Sequence, residues 1–289
     1  MTARFAEVTG SSGLNSPPML AAEREAVRAA PWWYLVAVLV YAPAMLYLDG
    51  RLSAAWPWEY ALGALTFVLL ALWTTRLPRA DRLQVWICVV VATGWEYLGS
   101  QVWGGYRYRF GAIPTFVPFG HGLVYVFAFS LAALPWVRRR ERLVAYAALG
   151  GAVAWAIAGV SLLPAMTQRI DWHGWYWLPL FAAAILFGPR KALFAGIFIA
   201  VTDLELAGTW FGAWTWLPTT PWFHVTSGNP PSAVAGGYAV IDGSVLLIVA
   251  LLTGALGRRG APRIISLGGS SSASPAPSAG GATRASARR

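Results

Sequence analysis

Thr93-Gly-Trp-Glu96-Tyr-Leu-Gly99 and Thr202-Asp-Leu-Glu205-Leu-Ala-Gly208 share the pattern T-x-x-E-x-x-G, and each closes an apolar run. Reading outward, Trp103-Gly-Gly-Tyr106-Arg-Tyr108 follows the first stretch and Trp210-Phe-Gly-Ala-Trp214-Thr-Trp216 the second, so both carry an aromatic-x-aromatic pair. Both then reach a proline (Pro114, Pro218), a second proline (Pro118, Pro221), and finally an apolar run ending in arginines, Arg138–Arg140 and Arg258–Arg259. The chain is therefore expected to be a duplication of a four-span unit. Four is even, so both units point the same way, related by a pseudo-twofold along the membrane normal. The competing reading is that Gly, Pro and Trp recur at membrane interfaces by chance.

The membrane assignment rests on composition. Of 289 residues, 57% are hydrophobic and 12% charged, with 17 Trp and a mean hydropathy of +0.53. A soluble surface uses roughly a quarter charged residues. The expected fold class is an all-α integral membrane protein of about eight transmembrane helices, placed near 32–48, 58–75, 83–98, 116–136, 143–163, 175–187, 192–206 and 234–256. The sixth is short. The two repeats occupy 30–142 and 143–260. Residues 1–29 are expected to be a cytoplasmic segment without a signal peptide, and 261–289 a disordered cytoplasmic tail. With both termini inside, 18 of the 22 Lys and Arg fall on inner segments and 4 on outer loops, the asymmetry of a multi-pass protein of the cytoplasmic membrane. The net charge of +10 is thereby an orientation signal, and no nucleic-acid partner is expected. A lone cysteine, Cys88, excludes an intrachain disulfide.

Glu59, Glu96, Asp203, Glu205 and Asp242 fall in or at the spans, and no Lys or Arg lies within one. An ionisable group in a span is a functional-site hypothesis by default. In low dielectric an unpaired carboxyl is easier to neutralise than to keep charged, and a protonated carboxyl serves as a general acid. The expected catalytic set is Glu96, Glu205, Asp242 and Asp203. Glu59, beside Trp56 and Trp58, reads as interfacial. Two readings would undo the chemistry: pairing of Glu96 with Arg107 or Arg109, and glutamates that merely bond the loop backbone. The expected substrate-binding residues are Tyr106, Tyr108, His121, Trp214, Trp216, Asn229 and Tyr238. Aromatic faces stabilise a nearby cation. His121 would orient a carboxyl or shuttle a proton, while His173 and His224 read as loop residues. Segment 227–238, rich in Gly and Pro, reads as a tight turn or re-entrant stretch leading to the last span, with Asn229 orienting a carboxyl or water. Histidine clusters, a phosphate-binding loop, a nucleophile elbow and a dinucleotide fingerprint are all absent, so no metal or cofactor is expected.

The pattern Glu96…Gly99…Gly105-Tyr106-Arg-Tyr108…Ile113-Pro114 resembles membrane carotenoid hydratases of the bacterioruberin pathway, with Phe211-Gly212-Ala-Trp214-Thr-Trp216 as a Trp-bearing second copy. Trp95-Glu96 is reminiscent of the small membrane-bound terpene cyclases, and the paired membrane acids also resemble heterodimer-type lycopene cyclases, whose P-x-E-E signature is absent here. The resemblance covers about 25 residues in each half. It implies an acid/base role for Glu96 and, through the repeat, for Glu205. The expected function is protonation of an alkene or epoxide of an isoprenoid or carotenoid-like lipid, followed by cyclisation or hydration. A lipid carrier and a non-catalytic scaffold subunit are the alternatives. The expected partners are the hydrophobic substrate and membrane lipids.

Overall fold

The computed structural model describes residues 32–52 and 57–260; the expected N-terminal segment 1–29, Trp56 and the expected tail 261–289 lie outside the described residues. By contacts the chain divides into a large unit ending at Leu251 and a small one from Leu252 onward. The described helices belong to the first, apart from the final turns of the last helix.

Among the described residues, eight helices of 14 residues or more follow the order of the expected spans. They are α1 (Trp33–Tyr47), α2 (Pro57–Thr74), α3 (Arg79–Tyr97), α4 (Phe116–Ala133), α5 (Glu141–Ser161), α6 (Gly174–Phe187), α7 (Lys191–Phe211) and α8 (Ala235–Gly260). Five of these segments (α1 continued to Arg51, α4, α5, α7 and α8) are long and apolar enough to cross a membrane. The chain is an all-α membrane protein. At 14 residues, α6 spans about 21 Å at the helical rise, short of a bilayer core of roughly 30 Å. Pro43 in α1 and Pro179 in α6 sit inside helices, as membrane helices tolerate.

The helices α4 and α7 form the centre: 67% of each is buried, against 28–33% for α1, α5 and α8. They pack on each other where Gly196 of α7 meets Ala128 of α4; a Cβ on Gly196 would stand 2.8 Å from the Ala128 Cα. Small residues permit that approach. The same logic shapes α5. Its buried stripe is Ala145, Ala148, Ala152, Ala156 and Gly159, while Leu143, Tyr146 and Ile157 face outward. Large side chains thus meet lipid and small ones meet protein, the reverse of a soluble helix.

Beyond the ends of α3 and α7 lie two three-residue strands, β1 (Tyr106–Tyr108) and β2 (Trp214–Trp216), paired antiparallel. Tyr106 faces Trp216, Arg107 faces Thr215, and Tyr108 faces Trp214. Backbone bonds from Leu217 N to Gly105 O and from Arg109 N to Ala213 O flank this ladder. They leave the aromatic pairs at the non-hydrogen-bonded positions, where side chains approach most closely. The alternating pattern turns the four aromatic rings inward and Arg107 and Thr215 outward.

Candidate active site

Each strand delivers two aromatic hydrogen-bond donors to the glutamate of the helix before it. The hydroxyls of Tyr106 and Tyr108 both donate to Glu96 Oε2, the latter at 2.5 Å. The indole N–H groups of Trp214 and Trp216 both donate to Glu205 Oε2, at 3.0 and 3.1 Å. Period-2 alternation puts residues two apart on one face, so an aromatic-x-aromatic strand aims both donors at one oxygen. The glycine of E-x-x-G lies one turn beyond the glutamate on the same helix face, and the ring crosses it to reach the carboxylate. A Cβ on Gly99 would stand 2.9 Å from the Tyr106 hydroxyl, and one on Gly208 would stand 2.1 Å from the Trp214 ring.

The two copies differ by one residue, and the backbone absorbs it. Glu96 precedes Tyr106 by 10 positions and Glu205 precedes Trp214 by 9. After Glu96 the helix loosens into a π-turn at Leu98–Trp103, whereas α7 stays α-helical to Phe211. A π-turn holds one extra residue in its hydrogen-bonded ring. Both segments then stop on a left-handed glycine, Gly104 at φ 70° and Gly212 at φ 81°.

The second oxygen of each glutamate has a different neighbour. His121 Nε2 lies 3.1 Å from Glu96 Oε1, within ion-pair range but off the line of a straight hydrogen bond. Its Nδ1 is 2.9 Å from the carbonyl of Val117 and must donate to it. Nε2 is therefore the ring nitrogen left to exchange a proton with Glu96. By contrast, Oε1 of Glu205 takes no hydrogen bond from a described residue. Indole N–H groups only donate, so Oε2 of Glu205 is fully used as an acceptor, and a proton on this carboxyl sits on Oε1. Burial and the Glu96 charge push the hydroxyls of Tyr106 and Tyr108 well above their ordinary pKa, which keeps them as donors.

Both glutamates line one cavity of about 640 Å³, with His121, Tyr238 and the four strand aromatics. Tyr238 of α8 stacks on His121 with centroids 5.4 Å apart. Apart from His173 and Thr220, the cavity's remaining walls are apolar or aromatic. Its exposed lining residues are Trp95, Leu98 and Val102 near the end of α3, Tyr176 and Leu180 on α6, and Trp222 and Phe223 in the loop after β2. None of these carries a charge.

The other expected site residues sit elsewhere. Asp242 is buried in α8 but does not line the cavity, and Asp203 points away from it on α7. Asn229 does not orient a carboxyl: its Oδ1 accepts the backbone N–H of Trp216 at 2.9 Å and so holds β2 in place. Neither glutamate bonds the loop backbone. No arginine reaches either one among the described residues; Arg109 and Arg169 donate to the carbonyls of Asp49 and Trp216 instead. Glu59, expected at the interface, is fully buried near Asp49 and Arg109.

Two functional residues escaped the sequence reading. His173 was expected in a loop, yet it lines the cavity, with Trp103, Trp177 and Trp216 around it at 5.5–5.7 Å. Burial lowers its pKa to about 4, against a smaller upward pull from Asp171, so the ring is neutral, and Nδ1 lies 3.0 Å from Ser227 Oγ. Asp171 accepts the N–H groups of Gly174, Gly228 and Ser232 and the Ser232 hydroxyl. It clamps the buried Gly/Pro turn at 227–233 onto the start of α6. Asp171-Trp-His173 lies more than 50 residues before that turn in the sequence, and burial of a loop has no periodicity to read.

Among the described residues no three His, Cys, Asp or Glu side chains converge as a metal site requires. Comparison of the chain with protein-family models, with curated proteins and with solved structures finds no match.

Proposed function

We propose that this protein is a membrane enzyme that protonates a C=C bond or epoxide of an isoprenoid or carotenoid-like lipid and directs the cation to a cyclised or hydrated product. The observation that carries the reading is the convergence of Glu96 and Glu205 on one apolar cavity, each with one oxygen held by two aromatic donors. Glu205 is the acid, because its only site for a proton is the oxygen free of hydrogen bonds. The Glu96–His121 pair is the base.

In the first step the Glu205 O–H bond breaks, the alkene π pair takes the proton to form a C–H bond, and a carbocation and a carboxylate remain. The rings of Trp214, Trp216, Tyr106 and Tyr108 line the chamber in which that cation forms, and aromatic rings stabilise a nearby cation. Attack by a second alkene closes a ring, or attack by water forms a C–O bond. Loss of one proton to the Glu96–His121 pair then gives a neutral product, and the proton returns to Glu205. Net proton count is unchanged.

A volume of 640 Å³ falls within the roughly 300–1,000 Å³ of small-molecule sites. The apolar rim between α3 and α6 suits sideways arrival of a hydrocarbon from the bilayer. The wider architecture belongs to the same proposal: eight spans in two parallel four-helix units, each supplying one glutamate and one aromatic strand, with both termini on the cytoplasmic side.

The test offers geranylgeraniol or another linear polyprenyl compound to the purified protein in heavy water. Deuterium should appear on carbon in a new product with the native chain and be absent with Glu205→Gln. Unlabelled, unchanged compounds across a panel of linear isoprenoids, with the fold intact, would overturn the reading.

A further inference from the structure

Both α4 and α8 leave the end of the molecule that carries the sheet, and His121 stacked on Tyr238 sets them level. Tyr125 and Asp242 each follow four residues later. They lie on the same helix faces and about one turn, roughly 5–6 Å, further from the sheet. Both are 1% exposed. Among the described residues the Tyr125 hydroxyl and both oxygens of Asp242 lack a hydrogen-bond partner. Cys88 of α3, a buried free thiol, is close enough to Asp242 and to Tyr238 for their charges to interact. Tyr238 in turn lines the same chamber as Glu96 and Glu205.

Buried polar groups without protein partners are costly, and they are ordinarily satisfied by ordered water. A buried water needs two to four polar neighbours. Asp242, Tyr125 and Cys88 supply that number from three helices. A leucine at position 242 would fill the site without such a cost.

We propose that Asp242 and Tyr125 enclose ordered water beneath the chamber, and that Asp242 is a proton store linked to the chamber through the Tyr238 hydroxyl. The Asp242 carboxyl gives its proton through the enclosed water to the Tyr238 oxygen as Tyr238 releases its own to a chamber carboxylate. Asp242 is left as the anion and the chamber group as the acid. The reverse transfer restores Asp242 when the substrate cation loses a proton. The water site stands by itself; its service to catalysis rests on the proposed reaction.

Infrared spectroscopy of the full chain in lipid nanodiscs tests the site without any substrate. The native protein should show a protonated-carboxyl C=O band that shifts in heavy water and is lost in Asp242→Asn. Tyr125→Phe should move the same band, and this variant carries the test where Asp242→Asn fails to fold. A spectrum in which Asp242→Asn removes no carboxyl band, a band that heavy water leaves in place, or a band indifferent to Tyr125→Phe would overturn the proposal. If the band behaves as expected while no isoprenoid takes up deuterium, only the reaction falls.

Discussion

Glu205 and Glu96 carry the same side chain and the same kind of aromatic cradle, yet they are not interchangeable. Gln at position 205 keeps a carbonyl oxygen for the two indole donors but puts an NH2 group where the acid proton would sit. Glu205→Gln should therefore fold normally and lose at least about 100-fold in turnover, the usual contribution of a general acid. Product formation at matched thermal stability checks this. Glu96→Gln should lower both quantities, because it also removes the partner of a buried imidazole. His173 gives a separate handle on stability. Its pKa is about 4 in the fold against an ordinary 6.5, so between those values the unfolded chain binds more protons. Stability from this residue is complete above pH 6.5 and is lost as pH falls toward 4. At 1.36 kcal/mol per pKa unit this amounts to about 3 kcal/mol. A thermal-shift series from pH 7 to pH 4 should fall less steeply for His173→Gln than for the native protein.

At the scale of elements, the fold depends on aromatic rings crossing helix ends. Gly208→Ala places a methyl inside the Trp214 indole, a rigid group already held by Glu205. Gly99→Ala meets only the hydroxyl end of the Tyr106 side chain, at 2.9–3.3 Å against 2.1–2.6 Å for Gly208, a smaller overlap. The second-half variant should lose several degrees of thermal stability and the first-half variant little; differential scanning of the two proteins side by side decides it. These glycines also show how much of the site could be read beforehand. T-x-x-E-x-x-G was legible as a repeated motif, and the nearly constant spacing to an aromatic pair was legible with it. The reason for both was not, because the reason is a contact between a helix face and a strand too short to leave a periodic signal. Asn229 was misassigned on the same ground: a side chain that bonds a strand backbone looks, in sequence, like one free to bond a substrate. The helices and the membrane class were legible because a bilayer imposes length and apolarity on consecutive residues, while His173 and Asp171 acquire their places from loops packed in three dimensions.

For the whole molecule, the decisive question is whether the halves must move against each other. A carrier working by alternating access rocks one bundle against the other around a central site. Here β1 and β2 join the segments that follow α3 and α7, one from each half of the proposed repeat, directly beside the two glutamates, and the four rings of that sheet are also the cradles of the carboxylates. Chemistry in a closed apolar chamber needs this sheet intact; rocking needs it to part. Arg107 and Thr215 are direct partners in the ladder, and both face outward. Their Cα atoms are about 5.5 Å apart in standard antiparallel geometry, inside the range a disulfide bridges. Cys88 is buried, so a double variant Arg107→Cys/Thr215→Cys pairs with itself. Oxidation should lock the halves at no cost to deuterium incorporation, and reduction should change nothing. Abolition of activity by the lock, with recovery on reduction, would mean that the sheet opens during the working cycle, and the carrier reading would then take precedence over the enzyme.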